Sequence, residues 1–374
     1  MSSGADAMTA SHDASHAAPQ GARPISLEAL KALSSLLDIP EGDALAALLD
    51  ARAPEGYRRY EVPKGNGKVR VIHAPSDALK AAQRAVLDRA LSRVPTSPFA
   101  HGFALGKSIL TNARVHATTA RAVLNVDLQD AFPSVSEARV RHILEWRLGP
   151  VLKLELPLLS GAARAELYEA LTTLCTRDGA LPQGAPTSGC LLNLVCASLD
   201  RKVFGLAMRS GLPQVRYSRY ADDLTITSSA PIPQDFSLAL QRAIVESGFV
   251  ANPAKIHAHT DAQRAIVVCG IRLHRGALAL PQESLRVYRA LFDRVARTPE
   301  GDLSLTERQR VMGVLGFLRA VYPACPAPLL KPLNALLGAH GWVRPPRDPD
   351  ARATYRRFTY SDLQRDLPRD LQGL

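Results

Sequence analysis

Apolar and polar positions along the chain follow two different periods, and the changes between them divide the sequence into elements. From Ile25 to Leu49 the apolar residues Leu27, Leu30, Leu33, Leu36 and Leu37 recur at helical spacing, broken at Pro40. Residues 57–73 switch to alternation on both sides of Gly65-Asn66-Gly67, which predicts a basic β-hairpin with a glycine-rich tip. A helical period returns over 77–93. Residues 122–127 form a short apolar run that ends in a carboxylate, the pattern of a buried strand. Helices are expected over 136–148 and 161–176, and over 190–206 as one helix apolar on most sides. Residues 215–229 read as two β-rich halves around a polar centre. A helix is expected over 233–248 and a strand over 264–275, with a turn at Gly276. From Pro281 to about Gly341 the pattern is helical, and Ser304 with Glu307 forms a capping box ahead of the apolar run 311–318.

Composition adds limits. Residues 1–24 hold almost no large apolar side chains and read as a flexible tail; His12 and His16, four apart, are read there as solvated. The arginine-rich segment 344–374 reads as a docking tail or a loosely ordered one. Lys and Arg number 46 against 35 Asp and Glu, a formal charge of +11, which raises nucleic acid as a partner without establishing it. The five cysteines form no CxxC pair, which excludes a zinc ribbon and a disulfide-stapled scaffold and suits a reducing cytoplasm. No apolar run approaches the ~20 residues of a membrane span, and the first residues do not resemble a signal peptide, so a cytoplasmic location without membrane attachment is expected.

The candidate chemistry lies in Tyr220-Ala221-Asp222-Asp223, at the centre of the second hairpin. Adjacent carboxylates on a straight strand would face opposite ways, whereas a hairpin tip keeps both near one site. Flanked by apolar strand residues, such a pair is electrostatically costly unless a cation neutralises it; the alternative is a plain polar turn. Asp127, at the end of the run 122–127, supplies a third carboxylate. Three carboxylates on two apolar strands suit two hard cations, and all-oxygen donors favour Mg²⁺, with substrate phosphates completing its shell.

At this point the sequence resembles reverse transcriptases. Tyr220-Ala221-Asp222-Asp223 resembles their YxDD box, and Asp127 with Phe132 their first palm motif. Residues 181–188, LPQGAPTS, followed by Asn193, resemble the LPQG…TS…N motif. Gly248-Phe249, Asn252 and Lys255 resemble the motif after YxDD, and Lys64, Gly67, Arg70 and Pro75 the first fingers motifs. Within that family His101-Gly102-Phe103 and Asn112-Ala113-Arg114-Val115-His116 resemble bacterial retron enzymes. The retron VTG element falls at residues 267–270, with Cys269 in place of Thr.

The resemblance implies an α+β right-hand polymerase: fingers and palm over 25–275, with an antiparallel palm sheet, and a helical thumb over 276–343. Asp127, Asp222 and Asp223 would bind two Mg²⁺ ions and carry catalysis, with the Leu128 carbonyl as a further oxygen. Phe132 would stand at the steric gate under the deoxynucleotide sugar. Arg70 with Lys64 or Lys68 would hold the triphosphate, Gln183 and Gly184 would line sugar and base, and Lys255 would serve the leaving pyrophosphate. Tyr220 would pack on the primer end, and Asn112 and His116 would belong to the nucleic-acid-binding set. The implied reaction copies part of a dedicated structured RNA into a branched RNA–DNA product, with a separate effector protein in an anti-phage unit. A non-retron bacterial reverse transcriptase, and a silent RNA-binding scaffold, remain as alternatives.

The thumb supports nucleic acid independently of the resemblance. On a helix advancing about 100° per residue, Arg286, Arg289, Arg294 and Arg297 share one arc. Leu285, Val287, Leu291, Phe292 and Val295 fill the other. Such an arginine face suits phosphate contacts along a duplex. His257 and His259 are expected on one face of a strand in a surface or packing role rather than as zinc ligands, and Cys269 as a small buried residue.

Overall fold

The computed structural model describes residues 24–63, 69–274 and 276–340. The chain divides into two compact units, one ending at Ala279 and the other starting at Leu280. The readings made for His12, His16, Lys64, Lys68, the first hairpin's glycine tip and the arginine-rich segment 344–374 lie outside the described residues.

The first unit is built around a four-stranded antiparallel sheet. Its strands are β3 (Ala122–Asp127), β4 (Arg216–Tyr220), β5 (Asp223–Ser228) and β6 (His257–Thr260), in the order β4-β5-β3-β6. The preceding β1 (Tyr57–Pro63) and β2 (Val69–Pro75) pair with each other as the expected hairpin. Along β3 and β5 one parity of residues, Leu124, Val126, Leu224 and Ile226, is fully buried in the main core. It shares that core with the helices Ser188–Val195, Ala197–Arg209 and Gln234–Val245, which supply Leu191, Leu199, Leu240 and Ile244. The opposite parity carries Asn125, Thr225 and Thr227 beside Val123. Thr225 donates to Asn125 across the strands, and His116 of the helix Ile109–His116 bridges Thr227 and Ser218.

Two elements differ from the sequence reading. The apolar stretch 190–206 is two helices that meet at Cys196, not one. A segment apolar on every side carries no phase from which such a junction can be read. Where the sequence pattern predicts one strand over 264–275, residues 267–274 form a tight hairpin, β7 (Val267–Val268) and β8 (Ile271–His274), and β8 also pairs with β9 (Ala277–Ala279). Its two turn residues, Cys269 and Gly270, have φ of 48° and 78°, the left-handed pair that closes two-residue hairpins.

Among the described residues the second unit holds three α-helices, Gln282–Arg297, Leu305–Val321 and Ala327–Ala339, with a short 3-10 turn at Glu300–Asp302. The expected capping box is present: Ser304 Oγ accepts from the Glu307 N–H, and the Glu307 carboxylate accepts from Ser304. Leu285, Leu291, Phe292 and Val295 are buried, as their arc requires. Val287, assigned to the same arc, is instead 51 % exposed, because at the arc's edge it lies outside the strip that the packed helices cover.

Candidate active site

Strand pairing brings the carboxylates together. Asp127, the last residue of β3, lies directly opposite Asp223, the first residue of β5. Asp222 occupies the turn between β4 and β5, where Ala221 adopts φ 57° and Asp222 receives the Leu128 N–H on its carbonyl. The turn thus folds the two adjacent aspartates toward the end of β3. Tyr220 closes β4 opposite Asp223. The Leu128 side chain is buried in the core beneath.

Crowding is visible in the electrostatics. Burial and the neighbouring charges of Asp222 and Asp127 push the Asp223 carboxyl up to about 7. Burial, then Asp127, also raise Asp222, against the opposing charges of Lys255 and Arg70. Lys255 Nζ lies 2.7 Å from Asp127 Oδ1. Burial pulls its ammonium down, but the bond to Asp127 and the charges of Asp223 and Asp222 outweigh that and hold it above its usual value. Among the described residues no group of three His, Cys, Asp or Glu side chains is arranged to hold a metal ion by itself. The three carboxylates offer oxygen donors only, the chemistry that suits a hard cation taking the rest of its shell from water and phosphate.

Arg70 sits on β2, and β2 is tied to the LPQG loop: the His73 N–H donates to the Gln183 carbonyl at 2.8 Å. Gly184 permits this approach. Its φ is 123°, and a Cβ there would stand 2.8 Å from the His73 carbonyl oxygen. Phe132 is half-buried, its ring edge-on to Phe103 with centroids 6.1 Å apart. Arg70, Gln183, Gly184, Phe132, Lys255 and Tyr220 thus all belong to the first unit with the carboxylates.

Asn112 and His116 do not fit a direct nucleic-acid contact. Both are fully buried. Asn112 Nδ2 donates to Cys269 Sγ, and the two His116 nitrogens are held by Thr227 and Ser218. Burial, with His101 and Arg216 nearby, lowers His116 to about 3, so it is a neutral imidazole bridging two strands. A polar motif at helical spacing reads the same whether it faces a ligand or a polar sheet face. His257 and His259 lie on β6, with His259 opposite Val123. Arg286, Arg289, Arg294 and Arg297 are all exposed on the helix Gln282–Arg297; Arg289 faces Asp293, and Arg294 faces Glu307.

Sequence reasoning missed the support beneath the turn. Arg219 and Asp200, both 0 % exposed, form a two-pronged pair at 2.8 Å and 2.8 Å. Arg219 also donates to Asn193 Oδ1 and to the Ala221 carbonyl, and the Tyr217 hydroxyl donates to Asp200. The available signal was a charge of each sign at otherwise apolar positions, Asp200 on the helix face of Leu199, Val203 and Ala207 and Arg219 on the core parity of β4.

A model of the reverse transcriptase (RNA-dependent DNA polymerase) family matches residues 62–286. The chain is similar to the retron Mx65 reverse transcriptase of Myxococcus xanthus, 38% identical over 71% of this chain and 62% of that one. It is 34% identical to the retron Mx162 reverse transcriptase of the same organism, over 72% of this chain and 58% of the relative. It is 38% identical to the retron Ec86 reverse transcriptase of Escherichia coli, over 46% and 49%. It therefore spans half to three-fifths of the length of these relatives. With the family's stretch running through both carboxylate strands, β2 and the LPQG loop, this chain belongs to the reverse transcriptase family.

Proposed function

We propose that the chain is an RNA-directed DNA polymerase that copies part of a dedicated structured RNA into a branched RNA–DNA product. The carrying observation is Asp127 opposite Asp223, with Asp222 in the adjoining turn. In this reading a primer hydroxyl, first the 2′-OH of an internal guanosine of that RNA, attacks the α-phosphate of a deoxynucleotide, and pyrophosphate leaves. Asp127, Asp222 and Asp223 would hold two Mg²⁺ ions, with the Leu128 carbonyl as a further oxygen. Such ions, when bound, lower the pKa of the attacking hydroxyl and neutralise the charge that builds on the phosphate.

The remaining roles belong to the chain's own side chains. Arg70 offers its guanidinium fork to the triphosphate, with Lys64 or Lys68 as a further cation. Phe132 lies under the sugar, where its ring leaves no room for a 2′-OH. Gln183 and Gly184 line the nucleotide, and Tyr220 abuts the primer end. Lys255, already held at Asp127, neutralises the leaving pyrophosphate or gives it a proton. The exposed arginines of Gln282–Arg297 contact duplex phosphates, which gives affinity without sequence choice. The retron likeness further supports a place beside a separate effector protein in an anti-phage unit. It also supports a cytoplasmic location, and no helix among the described residues is long and apolar enough to cross a membrane.

Purification from the native locus tests the reading. The co-purifying nucleic acid is treated with RNase, DNase and a debranching enzyme and resolved on a denaturing gel. A short DNA whose mobility changes with RNase and with debranching is expected, and Asp222→Asn should abolish it while RNA still co-purifies. Unbranched DNA would overturn the retron product and keep the polymerase. RNA without DNA, even with deoxynucleotides and Mg²⁺ supplied, would overturn the polymerase.

A further inference from the structure

Phe103 stands out among the aromatic side chains near the carboxylates. The residue is 59 % exposed, and its φ of 54° is a backbone conformation that bulky L-residues rarely adopt. Strain of this kind concentrates at functional sites, where the surroundings hold the residue against its own preference.

Those surroundings are specific here. The loop carrying Phe103 is fastened to the carboxylate hairpin. The His101 N–H donates to the Arg219 carbonyl at 2.8 Å, and Asn193 Nδ2 donates to the Gly102 carbonyl at 2.7 Å. Arg219 is also the residue that holds Ala221 of the turn. On its other side the Phe103 ring rests on Gly189, at the start of the helix Ser188–Val195, where an added Cβ would lie 2.3 Å from the ring. Seated against Gly189, the ring meets Phe132 edge to face, at an interplanar angle of 77°.

We infer that Phe103 is a positioning residue for sugar selection, holding the Phe132 ring in the orientation that excludes a 2′-OH. This rests on the reading of Phe132 as the steric gate. A lone aromatic ring on a short loop can swing away from a 2′-hydroxyl. A ring backed edge-on by a second, itself fastened to the catalytic hairpin, loses that freedom. Gate and carboxylates thereby share one frame through Gly102, Asn193 and Arg219. An edge-to-face pair corresponds to about 2- to 12-fold in an equilibrium, and that is the size of the selectivity at stake.

The test is primer extension on a defined RNA template with the full chain, measuring kcat/KM for dGTP and for GTP. Phe103→Ala should raise the GTP:dGTP ratio by about 2- to 12-fold. Phe103→Tyr, which keeps the ring edge, should restore the ratio. Gly189→Ala, which displaces the ring from its seat, should raise it independently and serves if Phe103→Ala fails to fold. Adding Phe103→Ala to Phe132→Ala should relax selection no further than Phe132→Ala alone. If Phe132→Ala relaxes selection while Phe103→Ala and Gly189→Ala lower both nucleotides equally, the role of Phe103 is refuted and the gate stands. If Phe132→Ala leaves the ratio unchanged, both fall.

Discussion

Removing Asp200 is the most informative change to the buried support of the carboxylate turn. Asp200→Ala leaves the Arg219 guanidinium, fully buried, without either of its two 2.8 Å carboxylate bonds, and leaves the Tyr217 hydroxyl without its acceptor. Breaking a buried ion pair from one side costs about 3–5 kcal/mol, because the remaining charge stays desolvated and uncompensated. Against a typical total of ~5–15 kcal/mol this is a large fraction. At about 2–4 °C per kcal/mol for a unit of this size, the melting temperature should fall by roughly 6–20 °C. The companion variant replaces both partners, Asp200→Leu with Arg219→Met. It removes the charge problem and should recover most of the lost stability. It should not recover DNA synthesis, because the Ala221 carbonyl and Asn193 Oδ1 still lack the guanidinium that fixes the turn. Thermal unfolding followed by circular dichroism, beside primer extension, separates the two effects. A melting temperature for Asp200→Ala within a degree of the parent would refute the stability reasoning. Full synthesis by the double variant would refute the claim that Arg219 sets the turn.

Other expectations follow from the same geometry. His116, held neutral with its pKa near 3, takes up a proton more readily unfolded, so folding stability should drop as pH falls below about 6.5, by about 2 kcal/mol at pH 5. A His116→Asn variant, compared with the parent in urea at pH 7.5 and pH 5, should lack that share of the loss. Gly184→Ala forces a Cβ against the His73 carbonyl in a strained backbone. It should cost about 1–3 kcal/mol, and KM for deoxynucleotides should rise as β2 loses its tie to Gln183; an unchanged KM would contradict the link. Replacing Arg286 and Arg297 by Ala should lower the slope of log affinity against log salt for an RNA–DNA duplex by about 2, with no change in sequence preference.

The legible parts of this molecule were those written in local period. The run 122–127, the alternation around Ala221-Asp222 and the arginine arc of Gln282–Arg297 each correspond to an element of the structure. The carboxylates could be named from sequence because a charged residue at the end of an apolar strand breaks the local pattern. What escaped was set by partners far along the chain. Asn112 and His116 sit on one helix whether it faces RNA or the polar side of a sheet, and only the pairing of β4 with β5 shows that Ser218 and Thr227 await the imidazole. Arg219 was similarly hidden: its identity suggests solvent, and only the helix bearing Asp200 makes it internal.

The strand order β4-β5-β3-β6 also has a temporal meaning. Asp127 leaves the ribosome roughly a hundred residues before Asp222 and Asp223, and Lys255, the cation that compensates them, comes later still. Asp127 cannot find its opposite number until β5 has been made, nor can its counter-charge be fixed until β6 has added to the far edge of β3. A nascent chain halted between Asp223 and Lys255 therefore holds all three carboxylates without the cation that compensates them. The carboxylate cluster and its counter-charge are completed in one late step, when the whole sheet has closed.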